Sequence, residues 1–428
     1  MIPIIRYQDI DADDSLRAIL NRELTFDTGT EERVRTIIDD VRARGNEAVI
    51  ACTAEYDGVT LDNITPVPES SLRELHARVD KDFITSLCES IENIREFHAR
   101  QIRDDIEVEK PGISMGLRFT SLESVGLYVP GGAGAYPSTI VMNAVPAQVA
   151  GVKRLAAVTP PGQFRSNPHV AAAFVELGIT EVYTIGGAQA VAAFAYGTET
   201  IPPVDKIVGP GNMYVAVAKK LVYGQVDIDM IAGPSEIVVV GDDTADPAFI
   251  AADLLSQAEH GSGDEMVVLL TPSRQLAEKV KKEIERQVAS LPHPDEVRAV
   301  LDKNALIIVE DLSEAARAVN RIAPEHLELM VDKPRELLPS IKHAGAIFLG
   351  PYSPEPISDY YGGTNHVLPT SGAARYASPL GVYDFQKCSN VVEYTRQAAN
   401  KSCRPVSILA RAEGFEAHAR SVEIRSGE

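Results

Sequence analysis

Four of the nine histidines stand near residues with which they could share a metal ion or a proton. Gln257 and His260, in Gln-Ala-Glu-His, are three apart near the end of a helix-like run. That spacing puts two side chains on one helix face, as two ligands from a single helix require. Asp359 and His366 flank Tyr360-Tyr361-Gly362-Gly363-Thr364-Asn365, which reads as a loop after the last strand, and loops at strand ends are where sites are built. Glu325 and His326 are neighbours and could supply two bases of different pKa to one substrate. Glu413 and His418 lie five apart on what reads as one C-terminal helix, so that helix alone does not aim both at one ion. Plainer readings exist for each: a solvated helix face, a turn aspartate, a helix cap. Taken together, two His, one Asp and one Gln make a metal site without thiolates. Nitrogen and oxygen ligands suit zinc, and less specifically manganese, cobalt or iron. No H-E-x-x-H is present, so a helix-borne metalloprotease site is absent. His76, His98, His169, His293 and His343 have no partner signal and read as ordinary surface or core residues.

The elements that must position these side chains alternate. The first hundred residues read as helical: Val34, Ile37, Ile38 and Val41 form one stripe and Gly45 is a stop. Ser71 and Glu74 have capping-box spacing, and a second periodic stretch, Leu72 to Ile94, breaks near Asp80–Asp82. From about 120, short apolar runs end in glycine-rich turns. Val125–Val129 runs into Pro130-Gly131-Gly132, Val182–Ile185 into Gly186-Gly187, and Lys206–Val208 into Gly209-Pro210-Gly211-Asn212. Met266–Leu270, Leu306–Val309 and Ala346–Leu349 are further strand candidates, the last of them closing the series. Strands alternating with helices imply parallel sheets and right-handed crossovers, here in two α/β clusters, about 120–237 and 238–380. The final 45 residues read as a separate helical tail, with Leu409, Ala412 and Phe415 on one stripe. Backbone N–H groups at a strand–helix turn suit a phosphate or carboxylate. None of the turns matches G-x-G-x-x-G, and tight turns needing positive φ would look the same.

Composition narrows the classes. The chain has 428 residues, too many for one compact core, and 45% hydrophobic residues, as in an ordinary soluble protein. Its formal charge of −20 would repel a phosphate backbone, which argues against nucleic-acid binding. No apolar run is long enough to span a bilayer. Cys52, Cys88, Cys388 and Cys403 form no C-x-x-C pair, and a reduced, cytoplasmic protein is expected.

At this point longer motifs resemble a family. Tyr128-Val-Pro-Gly-Gly, Gly186-Gly-Ala-Gln-Ala, Val204-Asp-Lys-Ile-Val-Gly-Pro-Gly-Asn212 and Ile228-Asp-Met-Ile-Ala-Gly-Pro-Ser-Glu236 look like histidinol dehydrogenases. So do Gln257-Ala-Glu-His260, Ala323-Pro-Glu-His-Leu-Glu328, Asn365-His-Val-Leu-Pro-Thr370 and Glu413-Gly-Phe-Glu-Ala-His418. The resemblance implies oxidation of L-histidinol to L-histidine with two NAD molecules, the last two oxidations of histidine biosynthesis. It implies zinc on Gln257, His260, Asp359 and His418, and Glu325 and His326 as the acid–base pair. Ser235, His366 and Glu413 would contact the substrate together with the metal ligands and His326, and Tyr128, Gln189 and Asn212 would contact NAD. It also implies a homodimer in which the tail completes the partner's site.

The implied fold is two incomplete Rossmann-like domains with parallel sheets, plus small helical terminal elements. The expected division is an N-terminal element (1–25), a catalytic and zinc-holding domain (26–127 with 238–380), a nucleotide-binding domain (128–237) and the tail (381–428). Three positions depart from the commonest pattern: Ser358 where Gly is usual, Thr364 after Gly363 where Pro is frequent, and Gly261 where Asp is common. They leave open a paralogous zinc and NAD dehydrogenase for another small alcohol, such as a sulfonated diol. A zinc hydrolase on an α/β fold is a further alternative, against which the three glycine turns argue.

Overall fold

The computed structural model describes residues 2–8, 17, 19, 26–131, 136–260 and 263–426. Most of the expected N-terminal element, the turn at 132–135 and Gly261 lie outside the described residues. In chain order the strands are β1 (Ile4–Arg6), β2 (Ile106–Lys110), β3 (Ile113–Ser121), β4 (Ser124–Tyr128), β5 (Arg154–Val158), β6 (Glu181–Tyr183), β7 (Lys206–Val208), β8 (Asp227–Ile228), β9 (Glu236–Gly241), β10 (Met266–Thr271), β11 (Ala305–Ile308), β12 (His326–Met330), β13 (Ala346–Leu349) and β14 (Gln386–Tyr394).

One parallel sheet runs β6-β5-β4-β7-β8. Its central strands are buried on both faces, which is why they read as continuous apolar runs rather than alternating ones. Against one face pack the helices Thr28–Arg44, Asn46–Tyr56, Gly187–Tyr196 and Met213–Val222. Against the other pack Glu69–His76, Lys81–Ala99, Pro137–Ala150 and Pro168–Glu176. Residues 28–99 thus bury their stripes on this sheet, not on the one built from 238–380 with which the sequence division grouped them. Val34, Ile37, Ile38 and Val41 are all buried, and Gly45 stops their helix at φ 54°. The break near 80 is an N-cap, Asp80 accepting from the Phe83 amide at 2.8 Å. The Ser71/Glu74 spacing caps nothing, because the helix already starts at Glu69 behind Pro68.

Close packing on this sheet leaves no room at Gly126 of β4. A Cβ there would lie 2.6 Å from the Phe194 ring, which is itself fully buried. Gly126→Ala is therefore expected to cost about 1–3 kcal/mol of stability. A urea midpoint equal to wild type would show that Phe194 can move aside.

The second parallel sheet runs β1-β11-β10-β9-β12-β13. Helices Pro247–Ala258, Arg274–Val288 and Pro294–Leu301 cover one face and Leu312–Ile322 the other. Two of its interior strands, β9 and β12, are absent from the strand candidates read in the sequence. β12 is His-Leu-Glu-Leu-Met, whose charged positions suggest an exposed face, yet all five residues are buried.

β13 is not the last strand. β14 pairs antiparallel with β3 along nine residues, and β2 completes a three-stranded sheet. The tail is therefore a strand followed by two helices, Arg396–Ala412 and Glu416–Ser426, rather than wholly helical. Glu413 caps the first of these helices and His418 lies on the second, with Gly414 at φ 85° between them, so the two residues do not share one helix.

Candidate active site

Both parallel sheets reverse their strand order in the middle. In the five-stranded sheet the chain moves outward from β4 through β5 to β6, then returns to the other side with β7 and β8. The carboxyl ends of β4 and β7 flank that switch point, where open α/β sheets form ligand crevices. A cavity of about 500 Å³ lies there, within the range of small-molecule sites. Tyr128, Gln189 and Asn212 all line it. The Tyr128 hydroxyl accepts from the Gly187 amide at 3.0 Å, and burial pushes its pKa up to about 12. Asn212 caps the helix Met213–Val222, its Oδ1 accepting from the Val215 amide at 3.1 Å. Gln189 is buried with neither amide atom hydrogen-bonded among the described residues.

In the six-stranded sheet the switch lies between β9 and β12, and the polar residues gather at the amino ends of these strands. His326 opens β12 and meets β9 there. Its Nδ1 stands 2.9 Å from the Glu236 carbonyl oxygen and 3.0 Å from Gln257 Oε1. Two acceptors at Nδ1 assign the proton to that nitrogen and leave the lone pair on Nε2. Nε2 is buried without a hydrogen-bond partner among the described residues, 4.0 Å from Glu355 Oε1. Burial holds the His326 pKa below its ordinary value.

Glu325 and Glu236 clasp each other. The Glu236 amide donates to Glu325 Oε2 at 2.9 Å, and the Glu325 amide to Glu236 Oε2 at 3.3 Å. Burial first, and the neighbouring Glu236 charge second, push the Glu325 carboxyl well above the usual carboxylate range. The segments reaching this pair carry the two non-glycine residues with positive φ among the described residues, Ala323 (54°) and Ser371 (52°). Ser371 donates its amide to Glu236 Oε1 at 2.9 Å. Backbone strain concentrated beside a site is held in place by the surrounding packing.

The Gln257 carboxamide bridges two imidazoles, with His260 Nδ1 3.2 Å from its Nε2. Gln257 is fully buried near the end of its helix, while His260 lies just beyond that helix and is exposed. Asp359 sits on a short helix, Glu355–Tyr360, not in a loop as its flanking residues suggested. Burial and the Glu355 charge push its carboxyl up to about 9, and Oδ1 has no hydrogen-bond partner among the described residues. His366 Nδ1 stands 3.1 Å from the Asp359 carbonyl oxygen, and burial lowers its pKa to about 4. Ser235 immediately precedes Glu236 at the same sheet edge. Glu413 and His418 are exposed on the tail, the latter stacked edge-on against Phe415 at 5.0 Å, and do not join the cluster within one chain.

Sequence reading missed several carboxylates here. Donor atoms of His326, Glu355 and Asp359 lie within 4.8 Å of one another. Behind them Glu328 on β12 accepts from the Glu355 amide at 2.9 Å and hydrogen-bonds Asp253, both buried. Glu355 had one legible signal, its place four residues before Asp359 on a common helical face. Glu236, Glu328 and Asp253 had none, because burial of a charge is decided by tertiary packing. Buried carboxylates crowded together, with Glu328 Oε2 and Asp359 Oδ1 lacking a partner among the described residues, are costly unless a cation offsets them. The imidazole, carboxamide and carboxylate donors present fit zinc.

Two parallel sheets covered by helices, each with polar side chains gathered at its strand-order switch, make this an α/β protein, and comparison with known proteins places it among oxidoreductases. The family model for histidinol dehydrogenase matches residues 20–426. Histidinol dehydrogenase of Bacillus subtilis is 50% identical over 95% of this chain and 96% of its own length. That of Geobacillus kaustophilus is 49% identical over 96% and 98%. The crystal structure of histidinol dehydrogenase from Elizabethkingia anophelis superposes with a TM-score of 0.92 at 33% identity, over 99% of this chain and 98% of that one. The chain belongs to the histidinol dehydrogenase family, and the fold expected from the resemblance is the fold found.

Proposed function

We propose that this enzyme oxidises L-histidinol through L-histidinal to L-histidine, with NAD as acceptor and zinc in the Gln257–His260–Asp359 cluster. The observation that carries the reading is His326. Its Nδ1 is held by two oxygens, and its Nε2, beside Glu355 and Asp359, has no hydrogen-bond partner among the described residues. The half-identical histidinol dehydrogenases spanning the chain support the substrate over a sulfonated diol. The four cysteines are unpaired, and no described helix is long and apolar enough to cross a membrane, in keeping with a reduced, cytoplasmic setting.

In this reading Gln257, His260 and Asp359 hold the metal, with His418 of the partner subunit as the fourth ligand. Bound zinc supplies a template for the substrate's amine and imidazole, and NAD, in the cavity of Tyr128, Gln189 and Asn212, supplies the hydride acceptor. His326 Nε2 takes the hydroxyl proton, while the Glu236 carbonyl keeps the ring in orientation through Nδ1. Glu325, a strengthened base in its buried clasp with Glu236, removes a proton from the water that adds to the aldehyde. Ser235, His366 and the partner-borne Glu413 read the polar ends of the substrate. An analogue lacking the imidazole is expected to lose heavily, because those groups are left unpaired.

The trio of donors that lie within 4.8 Å of one another among the described residues, His326–Glu355–Asp359, shares only Asp359 with this ligand set. His326 is kept as the base because its second nitrogen is already oriented by two acceptors. Measurement of bound zinc separates the two. Asp359→Ala and His260→Ala are expected to lose zinc and turnover with the fold intact, and Glu355→Gln to keep its zinc. Zinc retained in His260→Ala but lost from Glu355→Gln would move the metal to the other trio.

A further inference from the structure

The cavity at the β4/β7 switch holds an acid that neither the metal nor the proton transfers use. Asp57 closes the helix Asn46–Tyr56, its amide donating to the Thr53 carbonyl at 3.0 Å. Its side chain lines the cavity with Tyr128, Gln189, Tyr56, Tyr214 and Arg33. Oδ2 is buried and has no hydrogen-bond partner among the described residues. No ion pair to Asp57 is found among them either, and burial alone raises its pKa. A carboxylate oxygen held out of water without a donor costs free energy in the empty cavity, and a ligand that brings donors recovers it.

A carboxylate is acceptor-only, and the vicinal hydroxyls of a ribose are donors that match it. A phosphate ester at the 2′ position would instead bring a like charge against it. Tyr56 and Tyr214 line the same cavity and present rings suited to a purine. Arg33 is exposed at this end and donates to the Tyr214 hydroxyl at 3.4 Å. It is the cation that a 2′-phosphate would otherwise find.

We propose that Asp57 binds the adenosine ribose hydroxyls and makes the enzyme select NAD over NADP. The proposal rests on the reading of this cavity as the dinucleotide site. Initial rates with NAD and NADP, and dissociation constants for both by calorimetry, are to be measured for wild type, Asp57→Ser and Asp57→Asn. Asp57→Ser is expected to lose about ten- to a hundredfold in kcat/KM for NAD. The loss should fall on KM rather than kcat, while use of NADP rises, so the preference for NAD collapses by about tenfold or more. Should Asp57→Ser fail to fold, Asp57→Asn keeps the shape and one acceptor without the charge, and NADP use is again expected to rise. A purely structural part at the helix end would lower the thermal midpoint and weaken both dinucleotides in parallel. That parallel loss, or an unchanged preference in both variants, would overturn the role of Asp57 while leaving the cavity assignment standing. Wild type binding neither dinucleotide would overturn the cavity assignment itself.

Discussion

Glu325→Gln is expected to separate the two oxidations. With L-histidinal supplied directly, NADH formation should fall by about 10²–10⁴-fold, the usual worth of a positioned base. With L-histidinol, the first NADH should form at close to the wild-type rate and the aldehyde should accumulate on the enzyme. The substitution keeps an acceptor for the Glu236 amide, which lies 2.9 Å from Glu325 Oε2, so the buried clasp survives. His326→Asn should damage both steps, since its Nε2 is the oriented lone pair at the centre of the cluster. The pH profile gives a second readout. The Glu325 carboxyl titrates well above the usual carboxylate range, and a base acts only when ionised. The aldehyde step should therefore slow as pH falls through that raised value, and the dependence should vanish in Glu325→Gln. Equal losses in both steps for Glu325→Gln would contradict the division of labour between Glu325 and His326.

The second large effect concerns the tail. Within one chain Glu413 and His418 are exposed, and His418 is not part of the described donor group of His326, Glu355 and Asp359. The tail leaves Ile408 and Leu409 on its first helix and Phe415 in the turn after it exposed, and β14 leaves Val391 and Val392 exposed. A short module cannot hide that surface alone, and exchange between protomers is a low-cost way to cover it. If each site joins His326 of one chain to His418 of the other, two inactive proteins should rescue each other. Equal amounts of His326→Ala and His418→Ala, unfolded and refolded together, should form mixed dimers in half of the cases. Each mixed dimer carries both lesions in one site and none in the other, so activity should return to roughly a quarter of wild type. If the tail folds onto its own chain, every site keeps one lesion and no mixing ratio restores activity.

How much of this was legible depended on whether a signal was local. β4, β7, β10 and β13 were legible as apolar runs closed by turns, and the helix limits at Gly45 and Asp80 as punctuation. β9 and β12 were not, although they are the strands that assemble the site. β12 carries His326 and Glu328 in a fully buried segment, and no propensity anticipates a charge placed in a sheet core. β14 follows irregular chain, and its partner β3 lies more than 260 residues earlier, so only the fold reveals the pairing. Gln257, His260, Glu325, His326, Asp359 and His366 were legible as types and spacings, but the clasp of Glu236 with Glu325 depends on two strands meeting. Glu413 and His418 were read as one helix although Gly414 offers the same stop signal as Gly45, and at φ 85° it separates the two helices.

The most direct test of the whole account is a count. A known, limiting amount of L-histidinol is consumed to completion with excess NAD and stoichiometric zinc, and NADH and L-histidine are both quantified. Two NADH and one L-histidine per L-histidinol, abolished by a chelator and restored by zinc, is the predicted result. One NADH per substrate with free aldehyde as product, or no NADH from L-histidinol while another small alcohol is turned over, would contradict it.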